Sequence, residues 1–372
     1  MNRSRGLEGL VSALALLGAA AGLYAVATLP IAPTVDAPPS SASAVPSAHT
    51  TPRAKLDLSG LSRSELNAAC ERCHVEEAAE WRDSPHHTAY SDPVFQRSFA
   101  REPRKTCQGC HAPEADPSHK PPTWAASVGV TCVTCHVVGD DANRIMATTD
   151  ADIAASPHAL LPTPALEGDA ACAACHEFDF PRTPRNRDPG PMQLTLTEHA
   201  RSDFADIACA DCHMGPEGED RHAGHGFNVT RNELLLREAI EVAVDRTDDG
   251  RMIFDLTPIG VGHSFPTGDL FRRLELRAEA IDDDGNVVGT THRYLARHFP
   301  PPKWTLDRHA APAEVPDDRL HGEATIELQL PAVAAPHAVR WSVRYQRVDQ
   351  RFAAAPETST LSGETVLAEG WS

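Results

Sequence analysis

The chain contains ten cysteines, and all ten fall into one pattern. They read Cys70-Glu-Arg-Cys73-His74, Cys107-Gln-Gly-Cys110-His111, Cys132-Val-Thr-Cys135-His136, Cys172-Ala-Ala-Cys175-His176 and Cys209-Ala-Asp-Cys212-His213. Cys-x-x-Cys-His is the attachment motif of c-type haem. Two thiols three positions apart on one helical turn add across the two vinyl groups of a porphyrin. The histidine beside the second thiol then turns its imidazole toward the iron. Five copies imply five covalent haem c groups, with His74, His111, His136, His176 and His213 as iron ligands.

Three other chemistries use paired cysteines. Disulfides suit an exported chain with an even cysteine count, but they do not explain a histidine after every pair. Structural zinc takes two Cys-x-x-Cys pairs per metal, which five pairs do not divide into. A redox dithiol accounts for one pair only.

The elements that must position these motifs follow from the rest of the chain. Aromatic residues make up 5% of the sequence, little for a large side-chain core. The motifs lie between Cys70 and His213, so five macrocycles would themselves form much of the interior. Folding of that region should then depend on the cofactor, as small metal domains depend on their metal. Short helices should carry the motifs, the first of them capped at Ser64. Pro-rich loops should separate them, around Pro121-Pro122 and from Pro181 to Pro191.

After Leu234 the pattern changes to period two. Ile240, Val242 and Val244 alternate with polar or small residues, as do Met252, Phe254 and Leu256, then Leu274, Leu276, Ala278 and Ala280. Ile326, Leu328 and Leu330 follow, then Val339, Trp341, Val343 and Tyr345. Asp248-Asp249-Gly250 and Asp284-Gly285-Asn286 read as turns. The expectation is an α+β chain in which a mostly helical and loop haem domain, residues 59–230, precedes an antiparallel β-sandwich, residues 231–372. No catalytic triad or phosphate loop occurs in the second part.

The N-terminus sets the location. Asn2-Arg3-Ser4-Arg5 is basic, and Leu10 to Leu29 is almost wholly apolar. Residues 1–32 read as a signal-anchor or transmembrane segment, long enough to span a bilayer with its basic end in the cytoplasm; Ala25-Val-Ala27 also fits a signal-peptide cleavage site. Either way, residues 33 onward face the periplasmic side of the inner membrane, where haem is attached. Residues 33–58 form a linker rich in Pro, Ser and Ala. With 52 Asp and Glu against 34 Lys and Arg and no basic cluster, nucleic acid is excluded as a partner. The partners expected are the membrane, through the N-terminal segment, and redox proteins that donate and accept electrons.

At this point the residues resemble a known family. Cys70–His74 followed by Glu80-Trp81-Arg82-Asp83-Ser84-Pro85-His86 resembles the first haem segment of multihaem cytochromes c related to the tetrahaem electron acceptor of hydroxylamine oxidoreductase. Gly129-Val130-Thr131-Cys132, Ser156-Pro157-His158, Cys172–His176-Glu177-Phe178, Cys212-His213-Met214, His225-Gly226-Phe227 and Gly262-His263-Ser264-Phe265-Pro266-Thr267-Gly268 fit the same pattern. The resemblance covers roughly residues 65–290. It implies closely packed haem pairs, mostly bis-histidine ligation and electron transfer. Two features depart from it: five motifs rather than four or eight, and His199 where relatives often have Trp.

Distal ligands must come from the histidines outside the motifs. His86 and His158 match the resemblance. His225 follows the fifth motif by a short loop. His263 lies on a loop of the β part, between Gly262 and Gly268. His119 stands eight residues after His111, within reach of a neighbouring haem. His87, His199 and His222 are substitutes; Met146 and Met192 would give higher potentials. Loop histidines outnumber methionines, which favours low potentials. His292, His298, His309, His321 and His337 read as surface residues. The function expected is haem-mediated electron transfer. The alternative is an oxidoreductase acting on small nitrogen compounds at one open-coordination haem, although all five motifs end in His rather than Lys.

Overall fold

The computed structural model describes residues 55–139, 141, 144–182, 187, 190–218, 222–227, 232–299, 317–331, 338–349 and 359–372. The apolar segment Leu10–Leu29, the stretch Pro33–Arg53, most of the loop between Pro181 and Pro191, His309 and His337 lie outside the described residues. Among the described residues no helix is long and apolar enough to cross a membrane.

The first part is built from short helices: α1 (Arg63–Cys73), α2 (Val75–Asp83), α3 (Pro93–Arg101), α4 (Lys105–His111), α5 (Thr123–Val128), α6 (Cys132–His136), α7 (Ala170–His176), α8 (Thr195–His199), α9 (Cys209–His213) and α10 (Glu233–Glu238). Four of them end on a motif histidine, and α1 ends on Cys73 with His74 as its C-cap. One turn of helix is what sets the two thiols of each motif on one side. The cap of α1 is Ser62 rather than Ser64. The Ser62 hydroxyl accepts from Glu65 N at 3.3 Å and the Glu65 carboxylate accepts from Ser62 N at 2.9 Å, a capping box that Ser64 has no partner to form.

Short strand pairs fill the gaps between motifs. β1 (Ile145–Ala147) pairs in parallel with β2 (Leu160–Pro162), which carries His158 just ahead of it. β3 (Glu177–Asp179) leaves directly from His176 and pairs antiparallel with β4 (Pro191–Leu194). β5 (Pro216–Glu217) and β6 (His222–Ala223) form a small hairpin ahead of His225.

The second part is the antiparallel β-sandwich: β7 (Ile240–Arg246), β8 (Arg251–Pro258), β9 (Arg272–Ile281), β10 (Val287–Leu295), β11 (Ala324–Gln329), β12 (Ala338–Val348) and β13 (Leu361–Trp371). One sheet has the order β10-β9-β12-β13 and the other β11-β8-β7. Met252, Phe254 and Leu256 from β8 meet Leu274, Leu276 and Ala278 from β9 and Val339 and Val343 from β12 in one core. The turns at Gly250 and Gly285 fall where the sequence places them. Leu276 is wholly buried, so Leu276→Ala is expected to cost about 2–5 kcal/mol. The readout is the midpoint of chemical unfolding followed by far-ultraviolet circular dichroism.

The two parts differ in how their interiors are filled. The sandwich has a large continuous apolar core, whereas the motif region has only small clusters such as Leu58, Leu66, Val133 and Val137. The imbalance is what a cofactor-filled interior requires.

Candidate functional site

Four of the five motif histidines face a second imidazole. His74 faces His158 with ring centroids 6.3 Å apart, His176 faces His86 at 6.2 Å, His136 faces His225 at 6.3 Å and His213 faces His263 at 6.1 Å. With metal–imidazole bonds of about 2 Å, two imidazoles on opposite sides of one metal ion hold their centroids roughly 6 Å apart. Ordinary ring packing has no reason to repeat this separation four times within 0.2 Å. Each separation therefore matches a pair of axial ligands with an iron between them.

The electrostatics leave these rings able to ligate. Desolvation pushes His86 and His213 down to about 4, with a neighbouring histidine adding to each shift. Desolvation also lowers His158, His225 and His263. The rings are thus neutral at pH 7, with a lone pair available. Several are also oriented through their other nitrogen, which fixes the tautomer. Nδ1–H of His136 donates to Met146 O at 2.9 Å, that of His225 to Ala223 O at 2.7 Å and that of His263 to Ser264 O at 3.1 Å. His158 Nδ1 is buried and has no hydrogen-bond partner among the described residues.

His111 is different. Its Nδ1–H donates to Ala89 O at 2.7 Å, and Phe95 stacks on its ring at 3.7 Å. Among the described residues no second imidazole is paired with it in the way the other four are. His119 does not come to any motif histidine: it is exposed, its Nδ1 2.8 Å from Asp116. His87 packs edge-on against Trp81, His222 Nε2 is 2.8 Å from Glu80 and His199 Nδ1 is 3.5 Å from Asp169. Met192 packs against the Phe180, Leu270 and Phe299 cluster, and Met146 contributes its carbonyl to His136.

Local devices set the pairings. Gly129 has φ +58°, and a Cβ there would run into the carbonyl oxygens of His86 and His87. That close approach lets Val130 N donate to His86 O at 2.9 Å while Trp81 Nε1 donates to Val130 O at 2.7 Å. The turn before the third motif thereby holds the His86 loop. Glu80 on α2 accepts from His225 N at 2.7 Å and also meets His222, which anchors the β5–β6 hairpin. The β-sandwich loop is held by Glu198 on α8. Its carboxylate meets Arg319 Nη2 at 2.6 Å, accepts from Thr267 Oγ1 at 2.6 Å and from Ser264 N at 3.3 Å. Gly262 carries no side chain because a Cβ there would stand 3.1 Å from both His199 Cδ2 and Phe204 Cβ.

The motifs also touch one another. Asn67 on α1 accepts from Cys132 N at 3.1 Å, and Cys70 packs on the Leu66–Val133 cluster, joining motifs one and three. The thiols of Cys110 and Cys175 are within hydrogen-bonding reach, joining two and four. Asp169, ahead of α7, accepts from Cys209 N at 3.0 Å, joining four and five. Sequence reasoning missed Phe95, Ala89 and Arg319, and it gave Glu80 and Glu198 no role of their own. Their roles are three-dimensional, and no local pattern marks them.

Residues 69–137 match the family described as cytochrome c554 and c-prime. A penta-haem cytochrome c552 from Thermochromatium tepidum superposes with a TM-score of 0.61 at 21% identity, covering 83% of this chain and 98% of that one. MtrC from Shewanella baltica OS185 aligns at 12% identity with a TM-score of 0.17, covering 72% of this chain and 45% of that chain. No curated protein matches the chain. The chain thus resembles the cytochrome c554 and c-prime family over one segment and shares the fold of a penta-haem cytochrome c.

Proposed function

We propose that the chain carries five covalent haems and transfers electrons on the periplasmic side of the inner membrane, with redox proteins as donor and acceptor and the N-terminal apolar segment as its membrane attachment. The observation that carries this reading is the set of four imidazole pairs at 6.1–6.3 Å. Haem supplies one-electron carriage between two iron oxidation states, and two axial imidazoles keep that exchange free of substrate. Cys70, Cys73, Cys107, Cys110, Cys132, Cys135, Cys172, Cys175, Cys209 and Cys212 would hold the macrocycles. The motif contacts give an order in which site one adjoins three, and site four adjoins both two and five. Site four lies where electrons from more than one direction would meet.

A second reading rests on His111. With no imidazole paired with it among the described residues, the second site supports the alternative of an open-coordination haem acting on small nitrogen compounds. One experiment addresses both. The holoprotein should exceed the apo-chain mass by five haem masses, and electron paramagnetic resonance should show four low-spin bis-histidine centres. A high-spin fifth signal that binds carbon monoxide favours the second reading at that site, and an all-low-spin spectrum favours a pure carrier. Two or fewer haems would defeat both.

A further inference from the structure

Two arginines of the β-sandwich stand near the second site. Arg272 on β9 and Arg347 on β12 stand directly opposite each other in the antiparallel register. Like charges in that position repel, so a sheet keeps such a pair only where anions meet it. Two aspartates do so from the protein side. Asp269 Oδ2 lies 3.2 Å from Arg272 Nη2, and Asp92 at the cap of α3 takes both Arg347 Nη groups at 3.0 and 3.2 Å. Tyr345 OH occupies Arg272 Nη1 at 3.2 Å. Arg347 Nε is buried and has no acceptor among the described residues. A buried guanidinium donor without a partner costs free energy and calls for an acceptor.

The surroundings say what that acceptor is. Asp92, the partner of Arg347, also accepts from Phe95 N at 2.8 Å, and Phe95 stacks on the ring of His111 at 3.7 Å. Arg347 therefore stands next to the imidazole of motif two, with Arg272 opposite it in the register. A haem bound there brings two carboxylates, and the planar five-donor fork of arginine matches a carboxylate. We propose that Arg347, through its free Nε, and Arg272 beside it form a receptor in the β-sandwich for a haem propionate of the second site. The β-sandwich then sets the potential of a haem whose cysteines it does not supply. This rests on the five-haem reading above.

Arg347→Gln in the holoprotein removes a cation and a donor next to a haem carboxylate. Adding an electron becomes harder. In a spectroelectrochemical titration, one of the five midpoints should move to more negative potential while the others stay in place. Arg347→Lys keeps the charge toward Asp92 but has no Nε donor in that position. Its resonance Raman spectrum should show a shifted propionate bending band, and this variant serves if the glutamine form does not fold. Haem mass and spin state are recorded on the same samples. Fewer than five haems in the unmutated protein would undo the reading this depends on. Five haems with unmoved midpoints in Arg347→Gln, or an unmoved propionate band in Arg347→Lys, would overturn the receptor itself.

Discussion

Replacing His263 by alanine is expected to turn one low-spin centre high-spin and to open it to carbon monoxide. His263 stands 6.1 Å from His213 with the two rings only 9° from parallel, and it comes from a loop of the β-sandwich. The loop is not free to collapse onto the gap. Ser264 N and Thr267 Oγ1 both donate to Glu198, and Arg319 Nη1 donates to Pro266 O at 3.2 Å. Removing the imidazole should therefore leave an open position of ring size. External imidazole should enter it and restore the low-spin signal, which a merely structural role for His263 would not produce. The loss should also loosen the β-sandwich from the haem region, read as faster proteolysis between residues 228 and 240. An unchanged resonance spectrum in His263→Ala would remove the β-sandwich from the fifth site.

The second large effect is expected at Glu198. Its ion pair with Arg319 is almost wholly buried, with side chains 8% and 4% exposed. Removing one partner of a buried pair leaves the other charge stranded, at a cost of about 3–5 kcal/mol. Asp317 remains 2.7 Å from Arg319 Nη2 and softens the loss toward the lower end of that range. Glu198→Ala should also release Ser264 N and Thr267 Oγ1, so the loop bearing His263 should slacken with it. The measurements are the chemical unfolding midpoint and the low-spin signal of the fifth site. Both should fall in Glu198→Ala, and Glu198→Gln, which keeps an acceptor for Thr267, should lose less of the second. Unfolding that matches the wild type would show that other contacts dock the sandwich.

The distal histidines show where sequence reasoning stops. His225 follows the fifth motif in the chain yet faces His136 of the third. The β5–β6 hairpin, gripped by Glu80 of α2, carries it there. His86 follows the first motif and faces His176 of the fourth, because the Gly129 turn pins its carbonyl. His119 is close to His111 in the chain and exposed in space. In each case chain proximity was a poor guide, because a loop of a few residues can point either way and a single long-range hydrogen bond decides.

The strands were easier to read. Met252, Phe254 and Leu256 and then Leu274, Leu276 and Ala278 recur at every second position, and the structure buries them in one sandwich core. β10 and β13 were missed. Their burial patterns are weak, since both are edge strands of the four-stranded sheet with mostly half-buried or exposed residues.

What the sequence determined by itself was covalent chemistry and periodicity. A thiol pair and a histidine on one helical turn are set within five consecutive residues, and a strand declares itself by alternation. Both are local properties that survive without a fold. What only the tertiary structure decided was which imidazole faces which, where the sandwich loop docks, and that Arg272 and Arg347 stand opposite each other. These depend on contacts between segments far apart in the chain. No spacing in the sequence encodes a buried hydrogen bond such as Glu80 to His225, or an ion pair such as Glu198 to Arg319.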